Sequence, residues 1–177
     1  HPVCLCVCAR SGDCRQARRA KAQARQQQGR LTMSGVQVAF HFNAVDPLGY
    51  TCRLLNKAVG RRARLVVCAP PAELNRLDQL LWLFQPLSFL PHARADSPEH
   101  VRARSPVWLC THLSGDEPAD VLVNLTSETP VGYERFNRLI EVVSTLEQDR
   151  YLARQRWKAH VANGHTPDYF DVGKVSA

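Results

Sequence analysis

Three cations four residues apart, Arg150, Arg154 and Lys158, carry the plainest chemical potential of this chain. On a helix the spacing i, i+4, i+8 gathers them into one ridge. Beside the ridge Leu146, Ala153, Trp157 and His160 fall within a narrow arc, an apolar strip with Trp157 at its border. That pairing suits a peptide ending in an apolar residue with a free carboxylate and acids just upstream, because arginine grips a carboxylate bidentately and tryptophan walls a pocket. Two other readings stand beside it. The ridge is a solvated helix face with Trp157 in the core, or Trp157 stacks a base of single-stranded nucleic acid.

A second set of residues suggests docking. In RLDQLLWLFQPLSFLPH, Arg76 to His92, the residues Leu77, Leu80, Leu81 and Phe84 join Leu74 on one side of a helix at 100° per residue, a core stripe. Trp82 points away from that stripe. Pro86 is expected to end the helix, and Ser88-Phe89-Leu90-Pro91 to hold Phe89 in a stiff turn. Large aromatics off the core stripe mark interface centres; the alternative is a second layer of core.

Arrangements that would do covalent chemistry are missing or weak. The loop after the first strand, Asn43 to Gly49, has neither G-x-G-x-x-G nor a Walker pattern, and Ala69-Pro70-Pro71 lacks the N–H groups of an anion nest. Cys110-x-His112 could form a thiol–imidazole pair at a strand end, but the same spacing occurs in a plain core. Cys4, Cys6, Cys8 and Cys14 lack the paired spacing of structural zinc sites. Cys52, Cys68 and Cys110 read as reduced core thiols. No cofactor, metal or catalytic residue is assigned.

Charge narrows the partners. The net charge is +7, yet residues 1–32 hold Arg10, Arg15, Arg18, Arg19, Lys21, Arg25 and Arg30 against the single acid Asp13, so the body is nearly neutral. That body does not suit extended DNA binding. The sole methionine, Met33, precedes the first strand-like segment, and the tract before it has no apolar periodicity. Residues 1–32 are therefore expected to be a disordered, dispensable extension, such as translated upstream sequence; the alternative is a genuine basic arm that touches DNA. No apolar run approaches the roughly 20 residues of a membrane span, so a cytoplasmic protein is expected.

The elements that must position these residues follow from Met33 as strand, helix, strand, helix, strand, strand, helix, helix. Gln37 to Phe42 alternates and opens the sheet; Asp46-Pro47 caps a helix that Gly60 ends. Arg64 to Cys68, Val107 to Thr111 and Val121 to Leu125 are strands, the first covered on both faces. Ala93 to Pro106 reads as a surface loop. Phe136, Leu139, Ile140 and Val143 mark a further amphipathic helix, and Ser144-x-x-Glu147 a capping box for the last one, which Asn163-Gly164 ends. The expected fold is α/β: a Rossmann-like, mostly parallel sheet with helices on both faces and no phosphate-binding loop, a single domain over 33–165 with an irregular tail over 166–177.

Several of these segments together resemble the chi subunit family of bacterial DNA polymerase III. RLDQLLWLFQPLSFLPH, the PVWL and DVLVNL strands, the RFNRLIEVV helix and LARQRWKAH come in the family's order and roughly its spacing, over about residues 36–164. Trp157 stands where a tyrosine is expected. The resemblance implies a non-catalytic clamp-loader accessory subunit, a heterodimer with the psi subunit within a larger complex, touching DNA indirectly. It implies that Trp82 and Phe89 face psi. It also implies that Arg150, Arg154, Trp157 and Lys158 hold the acidic C-terminal tail of single-stranded DNA-binding protein. The rivals are a nucleotide-dependent hydrolase or transferase, and a basic nucleic-acid-binding module.

Overall fold

The computed structural model describes residues 35–84, 89–118 and 120–174. Seven strands form one sheet in which every pairing is parallel, in the order β3-β4-β2-β5-β6-β1-β7. In chain order the elements are β1 (Gln37–Ala44), α1 (Pro47–Val59), β2 (Leu65–Cys68), α2 (Pro71–Leu83), β3 (His92–Arg94), α3 (Glu99–Arg104), β4 (Val107–Cys110), β5 (Val121–Asn124), β6 (Arg138–Ser144), α4 (Glu147–Ala162) and β7 (Asp168–Asp171). The α/β fold with helices on both faces is as the sequence implies. The expectations for residues 1–32 and for Pro86 and Ser88 lie outside the described residues.

Strand alternation divides the core in two. Leu65, Val67, Leu109, Val123, Ile140 and Val142 face α1 and α2 and pack on Cys52, Leu55, Leu74, Leu77 and Leu81. Val38, Phe40, Val66, Trp108, Leu122, Leu139 and Val143 face the other way, against Ala153 and Trp157 of α4. Because β2, β4 and β5 are covered on both sides, they read as unbroken apolar runs. Asp46 caps α1 by accepting from the Gly49 N–H at 3.1 Å, and Pro47 opens it. Gly164, in the left-handed region at φ 84°, follows the end of α4. The three thiols Cys52, Cys68 and Cys110 are free and buried.

Four expectations are corrected. The segment Arg138–Ser144 is a strand, not a helix, inserted between β5 and β1. Apolar residues at i, i+3, i+4 and i+7 mimic a helix when a strand is buried on both faces, and β-branched Ile140, Val142 and Val143 favour the strand. Consequently Ser144 closes β6 rather than capping α4: Leu146 precedes the first helical turn without a side-chain cap, and the Ser144 N–H donates to Asp149 Oδ2 at 2.7 Å. Within Ala93 to Pro106 lie most of β3 and all of α3, elements too short for periodicity to register. Residues Asp168–Asp171, expected to be irregular, form β7 on the outer side of β1.

The connection from β4 to β5 is closed by a carboxylate. Glu117, 4% exposed, accepts from Ser114 N–H at 2.7 Å, Ser114 Oγ at 2.8 Å and Gly115 N–H at 3.0 Å, and pairs with Arg135. Burial alone would raise its pKa, but these donors outweigh burial and hold it at about 2, below the ordinary 4.5. A carboxyl depressed in the folded state stabilises above its unfolded pKa and loses that contribution as the pH falls through the folded value. Stability should therefore drop by on the order of 2 kcal/mol between about pH 4.5 and pH 2, in excess of the rest of the chain. Urea melts over that range should show the drop in the natural protein and not in Glu117→Gln; parallel profiles would sink the assignment.

Candidate functional site

Along α4 the cations and the tryptophan do converge. Arg150, Arg154, Trp157 and Lys158 line one groove of about 720 Å³ together with Tyr151 and Gln155 of the same helix, Phe42 and Asn43 of β1, and Tyr169 of β7. Among the described residues lining it, none is acidic. Trp157 is half-buried: it packs against Phe40 at 5.1 Å between ring centroids, and its remaining surface walls the groove. Phe42 and Tyr169 stack at 5.1 Å with planes 25° apart, giving the groove an aromatic floor.

The cations differ in freedom. Arg154 is well exposed and reaches Glu147 at 3.4 Å across solvent, a contact of small energetic weight. Arg150 is held more closely, donating to Asn43 Oδ1 at 2.7 Å with Glu147 at 4.0 Å. Lys158 is exposed. The strip drawn from spacing alone is not continuous: Leu146 stands 69% exposed just before α4, whereas Ala153 and His160 are buried beneath the helix.

Beneath α4 the sequence reading missed a polar cluster. Glu141 of β6, fully buried, accepts from Arg156 Nε at 3.1 Å and from Asn124 Nδ2 at 2.9 Å, and His160 Nε2 lies at 3.8 Å. Arg156 Nη1 also donates to the Ser127 carbonyl at 2.7 Å. This cluster fixes α4 on the sheet and so sets the face that α4 turns to the groove.

The second surface surrounds the end of α2. Trp82 and Phe89 are 60% and 58% exposed, with ring centroids 5.0 Å apart, and both rest against His92 at 5.2 and 6.2 Å. His92 Nδ1 bonds to the Leu90 carbonyl at 2.8 Å, and its Nε2 lies 3.3 Å from the Asp78 carboxylate. The stripe of Leu74, Leu77 and Leu81 is buried as expected, but Leu80 at its border is exposed, as is Leu83. His92 carries no signal of this role in sequence, because only the return of the chain at β3 brings it against the rings and beside Asp78 of α2.

The two surfaces are far apart. The aromatic patch lies beside β3 and the groove beside β7, the opposite edges of the sheet, and α2 and α4 cover opposite faces. Six interstrand spacings of roughly 4.8 Å separate those edges by about 30 Å.

A third concavity, about 590 Å³, sits at the carboxyl ends of β1 and β6, where doubly wound sheets hold ligands. Its walls carry Asp46, Glu73 and Asp149 against Arg76, the wrong balance for a phosphate. Burial, and then Asp149, push the Glu73 carboxyl upward. Cys110 and His112 are not paired: the Cys110 thiol turns to the Val67 carbonyl at 3.5 Å, while exposed His112 contacts Thr111 Oγ1. No described group of three His, Cys, Asp or Glu is placed to hold a metal, and no described helix is long and apolar enough to cross a membrane.

Fold and surfaces define an all-parallel α/β domain that carries two separate aromatic patches at opposite edges of its sheet. Residues 33–168 match the family model described as DNA polymerase III chi subunit, HolC. The chain is also similar to the DNA polymerase III subunit chi of Pseudomonas aeruginosa, 31% identical over 126 residues that make up 69% of this chain and 86% of that protein. It belongs to the family of DNA polymerase III chi subunits.

Proposed function

We propose that this protein is a non-catalytic accessory subunit of the replicative polymerase in the cytoplasm, bridging the clamp loader to template coated with single-stranded DNA-binding protein. Membership of the chi family supports the accessory role in DNA replication. Trp82 and Phe89 would bind psi, while Arg150, Arg154, Trp157 and Lys158 would bind the acidic tail of the coating protein. The observation that carries the second assignment is the convergence of those four residues on one groove free of lining acids. The cations take the terminal carboxylate and the upstream acids; Trp157, Phe42 and Tyr169 take the apolar last side chain. Placing the surfaces at opposite edges lets both partners be held at once. A weak contact to a protein present in many copies then raises the local concentration of polymerase on the template.

Arg154→Ala should weaken binding of an acidic peptide with a free, apolar C-terminus by roughly 1.5 to 3 kcal/mol, the scale of a hydrogen bond to a charged group. Amidating the peptide's carboxylate should reproduce much of that loss. Added salt should weaken the contact too, less steeply than it weakens a multi-phosphate DNA contact. Calorimetric titration of both peptides decides the assignment; if Arg154→Ala binds both as the natural protein does, the tail is held elsewhere.

A further inference from the structure

Asn43 stands near the carboxyl end of β1, where the ladder with β6 slips between His41 and Ala44. A bulge of this kind re-aims a side chain. The backbone of Asn43 is left-handed, φ 65°, a conformation that asparagine tolerates better than most residues. Its amide uses both ends: Oδ1 accepts from Arg150 Nη2 of α4 at 2.7 Å, and Nδ2 donates to Asp171 Oδ1 of β7 at 2.9 Å. An aspartate at this position would accept from Arg150 but repel Asp171, and an apolar residue would do neither. Asp171 also accepts from Gly173 N–H at 3.2 Å, and a Cβ at Gly173 would come within 3.2 Å of both Cβ and the carbonyl of Asn43. The chain after β7 is thus seated directly on Asn43.

We propose that Asn43 is a positioning residue of the groove: it ties β7 to α4 and presents the Arg150 guanidinium to the carboxylate of the bound peptide. The inference rests on the peptide-binding reading above and extends it to a residue outside the cationic helix. Asn43 engages Nη2 of the Arg150 fork and the exposed Glu147 carboxylate stands 4.0 Å from Nη1, a loose contact that an incoming carboxylate can displace to meet the fork in a restricted orientation. The same amide fixes β7, which contributes Tyr169 to the floor. Ordering both walls before binding lowers the entropy lost when the peptide docks.

The test is a double-mutant cycle in the full chain, read with an acidic peptide bearing a free apolar C-terminus and with its amidated form. Asn43→Gly keeps the left-handed backbone and removes both hydrogen bonds. It should weaken the free-acid peptide about fivefold to tenfold, the scale of one net hydrogen bond, with less effect on the amide. In an Arg150→Ala background the same substitution should cost the free-acid preference nothing further. Asn43→Asp, which keeps the acceptor and sets a carboxylate against Asp171, should weaken binding as well. Without peptide, hydrogen exchange over residues 168–174 should quicken in Asn43→Gly, and the Arg150 Nε–H resonance should lose its restriction. Equal losses in both backgrounds would reduce Asn43 to a purely structural residue and overturn the proposal. If the natural protein binds neither peptide, the tail reading fails by itself, and exchange at 168–174 with the Arg150 resonance still decides the bridge: unchanged behaviour in Asn43→Gly overturns it.

Discussion

Arg156→Met is expected to destabilise the fold by about 3 to 5 kcal/mol, because it strands the Glu141 carboxylate where no water reaches. Arg156 is 6% exposed and its Nε is 3.1 Å from Glu141, so the pair is a buried one whose halves do not survive separation. Asn124, Thr129 and His160 would remain near the carboxylate, but the first two carry no charge and His160 Nε2, at 3.8 Å, is beyond hydrogen-bond reach, so none replaces the direct guanidinium contact. The pair as a whole is a different matter: desolvating two ions offsets most of their attraction, and apolar residues of similar volume can take their place. Glu141→Leu combined with Arg156→Met should therefore recover most of the loss. Urea melts of the two single variants and the double variant measure this; a single substitution costing less than about 1 kcal/mol would mean that the pair is open to solvent.

The same pair explains what could and could not be read from the residues in order. Glu141 interrupts an apolar run, Leu139 to Val143, and a lone acid among apolar residues spaced three and four apart reads as the polar side of a helix. Only the opposite charge from α4, fifteen residues on, makes that acid a core residue of β6. Helices whose ends carry local chemistry were legible: Asp46-Pro47 for α1 and Gly164 after α4. So were β2, β4 and β5, whose continuous apolar runs need no partner to be recognised.

The groove divides in the same way. Its six residues on α4 all lie within nine positions of one helix, so helical geometry alone brings them together. Its far wall depends on Tyr169 meeting Phe42, and on Asn43 meeting Asp171, 128 positions away in the chain. The four residues of β7, DYFD, have no alternation to announce a strand, and nothing local says that they lie beside β1. Long-range parallel pairing is topology, and topology is where local pattern stops informing.

The largest expected effect on partner binding lies at the other edge of the sheet. Trp82→Ala and Phe89→Ala should each weaken association with a psi subunit by about 2 to 4 kcal/mol, the range of truncated aromatic hot spots. Both rings are more than half exposed, so neither substitution opens a core cavity, and stability should change by no more than about 0.5 kcal/mol. The rings touch, with centroids 5.0 Å apart, and share His92 as a floor, so the double variant should cost less than the sum of the singles. That shortfall separates one joint aromatic anchor from two independent contacts. The tail peptide, whose proposed groove lies about 30 Å away across six strand spacings, should bind every one of these variants as it binds the natural protein. Calorimetry against purified psi, with the tail peptide titrated in parallel, reads all three quantities. Normal psi binding by both single variants would remove Trp82 and Phe89 from the interface, and unfolding of either would return its ring to the core.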